Sequence, residues 1–597
     1  MNVRILNFRK HVVACFSALS VLLFGFATYA DNSPPGDVRT ALTVADLMAG
    51  RYVEWAPVNN AYFMPVGSHA SARHVFEGTL RVPEFAFRVV EAATTYKLPS
   101  PAWSGAAVFP GVDLEFFVQG GYLVPVRRGI IRPKSGSDLA QIIVSPGKTW
   151  SEPSDEGFSR ASFPFTLVNA FSNNTHNGIA TFLFDKIRVS SLRVQIVQEA
   201  ANWAMLDMWG QSSMTYRAHV VADRTQLAKN FADERAREVP MRSWSELKAL
   251  NGGQSISPII HQHGSRESVS AAGLIVDGVI YAHPCHARYG DYPYCRQMRH
   301  GVYSVTKTMG AALSLLRLAQ KFGPGVFDSR IADYIDINVD HDGWDKVTFA
   351  NVLSMAVGVG YKSPVRDPLR FQPIEDNPTF YHWMKLLDAE EKLSNAFDVG
   401  GNYPWGPGEV ARYDSMHTFI LSAAMDSYLK TREGPDADLW KMVRDEVLRP
   451  IGAFHVPIMR TVESDGGRGL PIMGFGLYLT IDDVAKIAAL LQGGGKHGGQ
   501  QLLHPGKLAE ALYQTESRGL PTGGLGGDHD YQLSFWMKLF NDNRGCEAWL
   551  AKMVGYGGNI VMILPNGVTA FRFADNHRYD AHDLAVAAHQ IRPLCQP

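Results

Sequence analysis

Cysteine is scarce in this chain, with five in 597 residues, and no two form a C-x-x-C pair. The usual thiolate zinc scaffolds are thereby excluded. Charge of one sign is also lacking: the formal net charge is −1. Neither nucleic acid nor an anionic membrane surface is suggested by that balance. After the first thirty residues no apolar run reaches the ~20 residues of a membrane span. A P-loop is missing too. Gly493-Gly494-Gly495-Lys496-His497-Gly498-Gly499 looks like a phosphate cradle, but it follows a helical pattern and lacks the strand lead-in, so it reads as a surface turn. The length exceeds what one core supports, so at least two domains are expected.

Residues 1–30 read as a secretory signal peptide. Arg4, Arg9 and Lys10 form a basic start, Val12 to Ala27 an apolar stretch, and Thr28-Tyr29-Ala30 a small-residue cleavage site before Asp31. The stretch is too short for a stable anchor, and the apolar residues follow Cys15 rather than precede it, which argues against lipidation. A periplasmic or secreted protein is expected. Four cysteines remain: Cys285, Cys295, Cys546 and Cys595. An even number in an exported chain favours disulfides, and four cysteines allow three pairings. Cys285–Cys295, closing a short Tyr/Pro/Gly-rich loop, and Cys546–Cys595, pinning the C-terminus, are favoured. His283-Pro284-Cys285-His286 resembles a metal site on a poor, proline-broken scaffold, and His261-Gln262-His263 shows no third ligand. No metal and no cofactor is expected.

Residues 31–36 form a polar tether. Short β-rich runs follow at 114–118, 122–126, 141–144, 180–184 and 191–197, punctuated by Gly, Pro, Ser and Asn. They predict a β-rich domain over 31–245, of unknown role. Asn173-Asn174-Thr175 matches a glycosylation sequon. From 246 to 597 the pattern is α+β. Two strands flank the turn Asp277-Gly278, helices are expected at 415–430, 438–448 and 481–492, and strands at 531–539, 559–564 and 568–573 precede a closing helix at 581–590. The result is an antiparallel sheet with attached helices and a helical subdomain.

The most informative residues are Ser304-Val305-Thr306-Lys307. Serine and lysine three apart on a helix share a face. A buried lysine loses preference for its charged form, takes the serine proton and leaves a nucleophile. The same spacing recurs at Ser145/Lys148, Ser245/Lys248 and Ser427/Lys430, in a turn and in polar helical stretches. Ser304 differs in its setting, with Tyr303 before it and a long apolar-periodic helix, Thr308 to Leu318, after it.

With Phe327 to Ile335, Val352-Leu353-Ser354-Met355-Ala356-Val357-Gly358, Pro407-Gly408, Arg412-Tyr413-Asp414-Ser415 and Gly476 to Ala485 in order behind it, the segment 255–595 resembles the serine β-lactamase-like hydrolases. These comprise class C β-lactamases, D-Ala-D-Ala peptidases, β-lactamase-fold esterases and 6-aminohexanoate-oligomer hydrolases. The resemblance implies that Ser304 is the nucleophile, Lys307 its base and Tyr413 a proton relay and general acid. Ser415 stands where many relatives carry Asn. A hydroxyl there can bond the lysine but offers no amide pair. His417 could face the pocket, though a packed helix histidine is the commoner case. In place of Lys-Thr-Gly or His the chain has Val554-Gly555-Tyr556-Gly557-Gly558-Asn559. Tyr556 then replaces the cation, Gly557 and Gly558 leave the wall bare, and an Asn559 N–H joins that of Ser304 as the oxyanion hole. Loss of the cation weakens attraction for a substrate carboxylate. The expected function is an exported serine hydrolase acting on small ester, amide or peptide substrates. The rivals are a D-Ala-D-Ala-type peptidase or weak β-lactamase, and a non-catalytic wall-peptide binder.

Overall fold

The computed structural model describes residues 33–50, 56–91, 108–133, 141–200, 206–251, 254–256, 259, 268–360, 378–398, 400–522 and 530–595. The signal-peptide residues 1–30 and the pair His261 and His263 lie outside them.

The β-rich region forms one sheet of eleven described strands. At its centre lie β1 (Ser159–Val168), β2 (Thr175–Phe184) and β3 (Leu192–Ala200), paired antiparallel. Each alternates apolar and polar residues, as a half-exposed strand would, yet all three are buried along their whole length. One face carries Phe163, Phe165, Phe182 and Val194 in an aromatic-rich core, where Phe76 meets Phe182 and Phe184 edge-on at 5.5 and 5.4 Å. The opposite face carries Arg160, Ser162, Thr166, Asn177, Thr181, Arg193 and Gln195, all buried. It packs against the second half of the chain, and Val168, Ile179 and Val197 join that half's core.

The helix α1 (Arg224–Ala236) still belongs to the first sheet, with Phe231 packed on Phe117 and Val124. The strand β4 (Met241–Ser243) already belongs to the second. The chain therefore crosses over between them, a few residues before 245. Next come α2 (Trp244–Leu250), β5 (Val269–Val276) and β6 (Val279–Ala282), then α3 (Leu313–Phe322) behind Ser304. Helices α4 (Ser415–Glu433) and α5 (Ile481–Gln492) follow, then β7 (Phe535–Asn541), β8 (Glu547–Gly555), β9 (Asn559–Ile563), β10 (Thr569–Ala574) and α6 (His582–Ile591). The nine described strands of this sheet run in the order β4-β6-β5-β10-β9-β8-β7, followed by 530–532 and 520–521. All pairs are antiparallel except β4 with β6. One face packs on α2 and α6 and the other on the helices around Ser304. This is an antiparallel sheet with helices on both faces, an α+β arrangement, preceded by a β-rich region. Residues 493–499 form the expected turn, with Lys496–His497 paired to Gln500–Gln501.

Both disulfides fall as the favoured pairing has them, Cys285–Cys295 and Cys546–Cys595. His283 stacks on Trp244 at 4.4 Å. The loop closed by the first disulfide is a clasp onto the first sheet. Tyr292 Oη donates to Gly178 O and Tyr294 Oη to Ser162 O, each at 3.0 Å. Arg288 pairs with Glu199, and Asn60 Nδ2 donates to Arg288 O and Gly290 O at 2.9 Å.

His300 lies at the base of the Ser304 loop, wholly buried, stacked on Phe573 at 4.7 Å and 3.2 Å from Ser270 Oγ. Burial, with Arg299 alongside, holds its pKa down to about 3. The folded protein thus keeps His300 neutral while the unfolded chain protonates it below about pH 6.5. Its contribution is intact above that value and is lost as pH falls from 6.5 toward 3. Urea midpoints are expected to drop by the equivalent of about 1.4 kcal/mol per pH unit in that window. His300→Gln should lose that share of the slope; an unchanged slope would contradict the assignment.

Candidate active site

The turn before Ser304 is built under strain. Tyr303 has φ +46°, a left-handed conformation costing an L-residue about 1–2 kcal/mol. The loop between β1 and β2 and the end of β3 hold it there. Asn173 Oδ1 accepts from Tyr303 N–H at 2.7 Å, and Asn173 Nδ2 donates to Leu477 O at 3.1 Å. Tyr303 Oη donates to Asn174 Oδ1 and to Ala200 O, the latter at 3.3 Å. Burial, with Tyr556 close by, raises this phenol well above its usual pKa and keeps it a neutral donor. A Cβ on Gly301 would stand 1.7 Å from Asn173 O, so only glycine lets the two backbones meet. The sequon is therefore no acceptor for a glycan: Asn173, Asn174 and Thr175 are wholly buried.

After Ser304 the helix widens to i→i+5 hydrogen bonding over Lys307–Ala312 and then tightens into α3, an irregularity frequent at functional sites. Lys307 is wholly buried. Its Nζ donates to Ser304 Oγ at 2.9 Å, Ser415 Oγ at 2.8 Å and Gly474 O at 2.9 Å. None of these three partners is charged, so none of them favours the ammonium over the neutral amine by Coulomb attraction. The Tyr413 ring lies 4.6 Å from the same Nζ, packed against Trp536 at 5.3 Å and edge-on to Tyr531 at 5.9 Å.

Tyr413 is positioned by backbone stitching. Gly408 N–H donates to Ala356 O and Arg412 N–H to Met355 O, at 2.7 and 2.6 Å. Asp414 then caps α4, its Oδ1 accepting from Met416 N–H at 2.8 Å, which sets Ser415 on the first turn beside Lys307. His417 is packed rather than pocket-facing: it is buried, edge-on to Trp344, and burial lowers its pKa.

The third motif is arranged differently from the sequence expectation. Val554 and Gly555 end β8, Asn559 begins β9, and Tyr556-Gly557-Gly558 is the turn between them. Gly557 and Gly558 have φ +85° and +99° and serve the turn. The bare position is Gly555, where a Cβ would lie 2.1 Å from Val302 O. Asn559 is a wholly buried strut. Its Nδ2 donates to Tyr556 O at 2.7 Å and to Gly301 O at 3.5 Å, and its Oδ1 accepts from Ala574 N–H at 3.2 Å. Tyr556 flanks the Ser304 loop, edge-on to Tyr303 at 5.5 Å and to His577 at 4.8 Å. The sequence reading missed Lys552, a cation on the same strand. It is buried, with Nζ 3.4 Å from Tyr579 O. It also missed Asn173 and Asn174, whose sequon pattern pointed to solvent.

The β-lactamase family matches residues 261–594, more than half of the chain. The chain belongs to the β-lactamase family. No curated protein matches the sequence. Among solved structures it is similar to a putative 6-aminohexanoate-dimer hydrolase from Bacillus anthracis, at 15% identity over 61% of this chain and 92% of that one, with a TM-score of 0.42. It is similar to EstCE1, a hydrolase with promiscuous acyltransferase activity, at 15% identity, 58% and 99% coverage and a TM-score of 0.40. A penicillin-binding protein homologue from Caulobacter crescentus shows 13% identity, 59% and 96% coverage and a TM-score of 0.39.

Asn173→Ala removes an acceptor from the buried Tyr303 N–H and a donor from Leu477 O. The expected cost is about 1–3 kcal/mol of unfolding free energy, read from denaturant curves. A variant as stable as wild type would show that the left-handed Tyr303 holds without this prop.

Proposed function

We propose that the protein is an exported serine hydrolase that cleaves small esters or amides through an acyl-enzyme. The observation that carries this reading is the 2.9 Å contact between Lys307 Nζ and Ser304 Oγ beside the Tyr413 ring. With Lys307 neutral, the Ser304 hydroxyl proton passes to Nζ as Oγ attacks the substrate carbonyl. The resulting oxyanion faces the Ser304 N–H, which at the start of a helix has no intrahelical acceptor. We place the second donor on the backbone at the end of β8, beside Val302, rather than at the buried Asn559. As the tetrahedral intermediate collapses, Tyr413 protonates the leaving group and is reprotonated by Lys307. Water then attacks the acyl carbon, losing its proton to the same pair, and Ser304 is regenerated. Ser415 and Gly474 O keep Nζ aimed at Ser304. Export is supported by the basic-apolar start of the sequence and by two disulfides.

Ser304→Ala should lower kcat by about three orders of magnitude or more and abolish fluorophosphonate labelling, whereas Ser245→Ala should change neither. Near-normal turnover in the Ser304 variant, or no labelling of wild type, would overturn the reading, and the latter would favour a non-catalytic wall-peptide binder.

Substrate preference follows from the uncharged Tyr556 at the flank of the site. Wild type should hydrolyse neutral short-chain esters better than nitrocefin in kcat/KM. Tyr556→Lys should move the ratio toward carboxylate-bearing substrates by up to about 1.5–3 kcal/mol, and Tyr556→Phe should cost far less than Ser304→Ala. A wild type that already prefers nitrocefin, or a ratio blind to both changes, removes Tyr556 from substrate contact and favours the β-lactamase or peptidase reading.

A further inference from the structure

Away from Ser304, a cleft of about 560 Å³ opens between the first sheet and the helix-and-loop segment 440–460 of the second half, a volume in the range of small-molecule sites. Six arginines line it. Arg127, Arg128 and Arg132 come from the segment after strand 122–125 of the first sheet; Arg444, Arg449 and Arg460 come from the opposite wall. No carboxylate lines it. Three lie behind the walls, and two of them, Asp445 and Asp438, are each shared by several cations. Glu234 holds Arg128 in a two-pronged pair at 2.8 and 3.0 Å and also contacts His455 at 3.6 Å. Asp445 serves Arg444 at 2.8 Å, Arg449 at 3.5 Å and Lys441 at 2.7 Å. Asp438 serves Arg460 and Arg468 at 3.1 and 3.0 Å. Arg127 and Arg132 are exposed and make no ion pair among the described residues. Guanidinium groups outnumber carboxylates here, in a chain whose formal net charge is −1.

Between the charged walls the lining is apolar, with Trp440, Val456, Ile458 and Met459, and the amides of Gln141 and Asn169 reach it from the first sheet. A low-dielectric floor between clustered cations focuses the field on an entering anion, and the planar guanidinium fork matches carboxylate and phosphate oxygens two at a time. None of the lining residues belongs to the Ser304–Lys307–Tyr413 set. We propose that this cleft is a second binding site, for a ligand carrying at least two phosphate or carboxylate groups spaced to reach both walls. One anionic end sits on Arg127 and Arg132, the other on Arg444, Arg449 and Arg460. Such a ligand bridges the two halves of the chain.

Calorimetric titration of the full-length protein with inorganic tripolyphosphate and with citrate, at low and near-physiological salt, tests this. Saturable one-to-one binding of at least one probe is expected, with Kd below about 1 mM at low salt and weakening with added salt. The double variant Arg127→Ala/Arg132→Ala should weaken it by about tenfold or more, and so should Arg449→Ala on the other wall. The double variant Arg127→Lys/Arg132→Lys keeps the charge and should retain part of the affinity, which covers the case in which the alanine variant fails to fold. Long-chain polyphosphate separates the sources. Several protein molecules per chain, with tighter binding per site than tripolyphosphate, identify a polymer segment; equal affinity per site identifies a free small anion. No saturable binding of any probe at low salt, or binding unchanged in the folded variants, would overturn the proposal.

Discussion

A buried lysine nitrogen needs hydrogen-bond partners, and Lys307 Nζ finds them on three separate stretches of chain. Ser304 Oγ comes from its own helix, Ser415 Oγ from the start of α4, and Gly474 O from the loop ahead of α5. Leaving any of these bonds unmade inside the protein costs more than the bond is worth in water. The three segments are therefore held to one geometry. Gly474 illustrates how tight it is: a Cβ there would stand 2.9 Å from Ser415 O.

A second constraint sits one residue upstream. Tyr303 is bent into the left-handed region, and the groups that hold it there are Asn173 and Asn174, on the loop between β1 and β2, and the Ala200 carbonyl at the end of β3. The buried polar face of β1, β2 and β3 follows from the same contact. Because that face meets backbone and polar side chains instead of water, it carries amides and hydroxyls with fixed partners: Asn177 Nδ2 donates to Arg299 O at 2.8 Å, and Thr181 Oγ1 to Ala161 O at 2.9 Å.

Much of the second half was legible in the sequence because its signals are local. The Ser304/Lys307 spacing, the Pro407-Gly408 lead-in to Tyr413, the Asp277-Gly278 turn and the helix at 481–492 each depend on neighbours a few residues away, and each stands where it was expected. What stayed hidden depends on residues far apart in the chain. An alternating strand pattern predicts a wet face, and only the docked partner makes that face dry, as with Arg193 and Gln195 on β3. Asn173-Asn174-Thr175 spells a surface signal and lies in the interior. In the third motif the sequence alone points to Gly557 and Gly558, two and three residues past the bare position, because the close approach of Gly555 to Val302 depends on how β8 meets the Ser304 loop. Lys552 was overlooked for the same reason. A lone lysine in a strand pattern reads as a solvated edge, and its burial comes from neighbouring strands and the segment around Tyr579.

The clasp between the Cys285–Cys295 loop and the first sheet has a bearing on how the chain is made. The segment matched by the family begins at 261, whereas the asparagines that hold Tyr303 lie almost ninety residues earlier. The family segment is thus not a portable cassette: excised, it would carry the serine and the lysine but not the groups that set the turn before them. The first sheet precedes the second half in the chain and can serve as its template. Recombination that exchanged the leading half for an unrelated domain would leave Ser304 in place without the groups that set its turn.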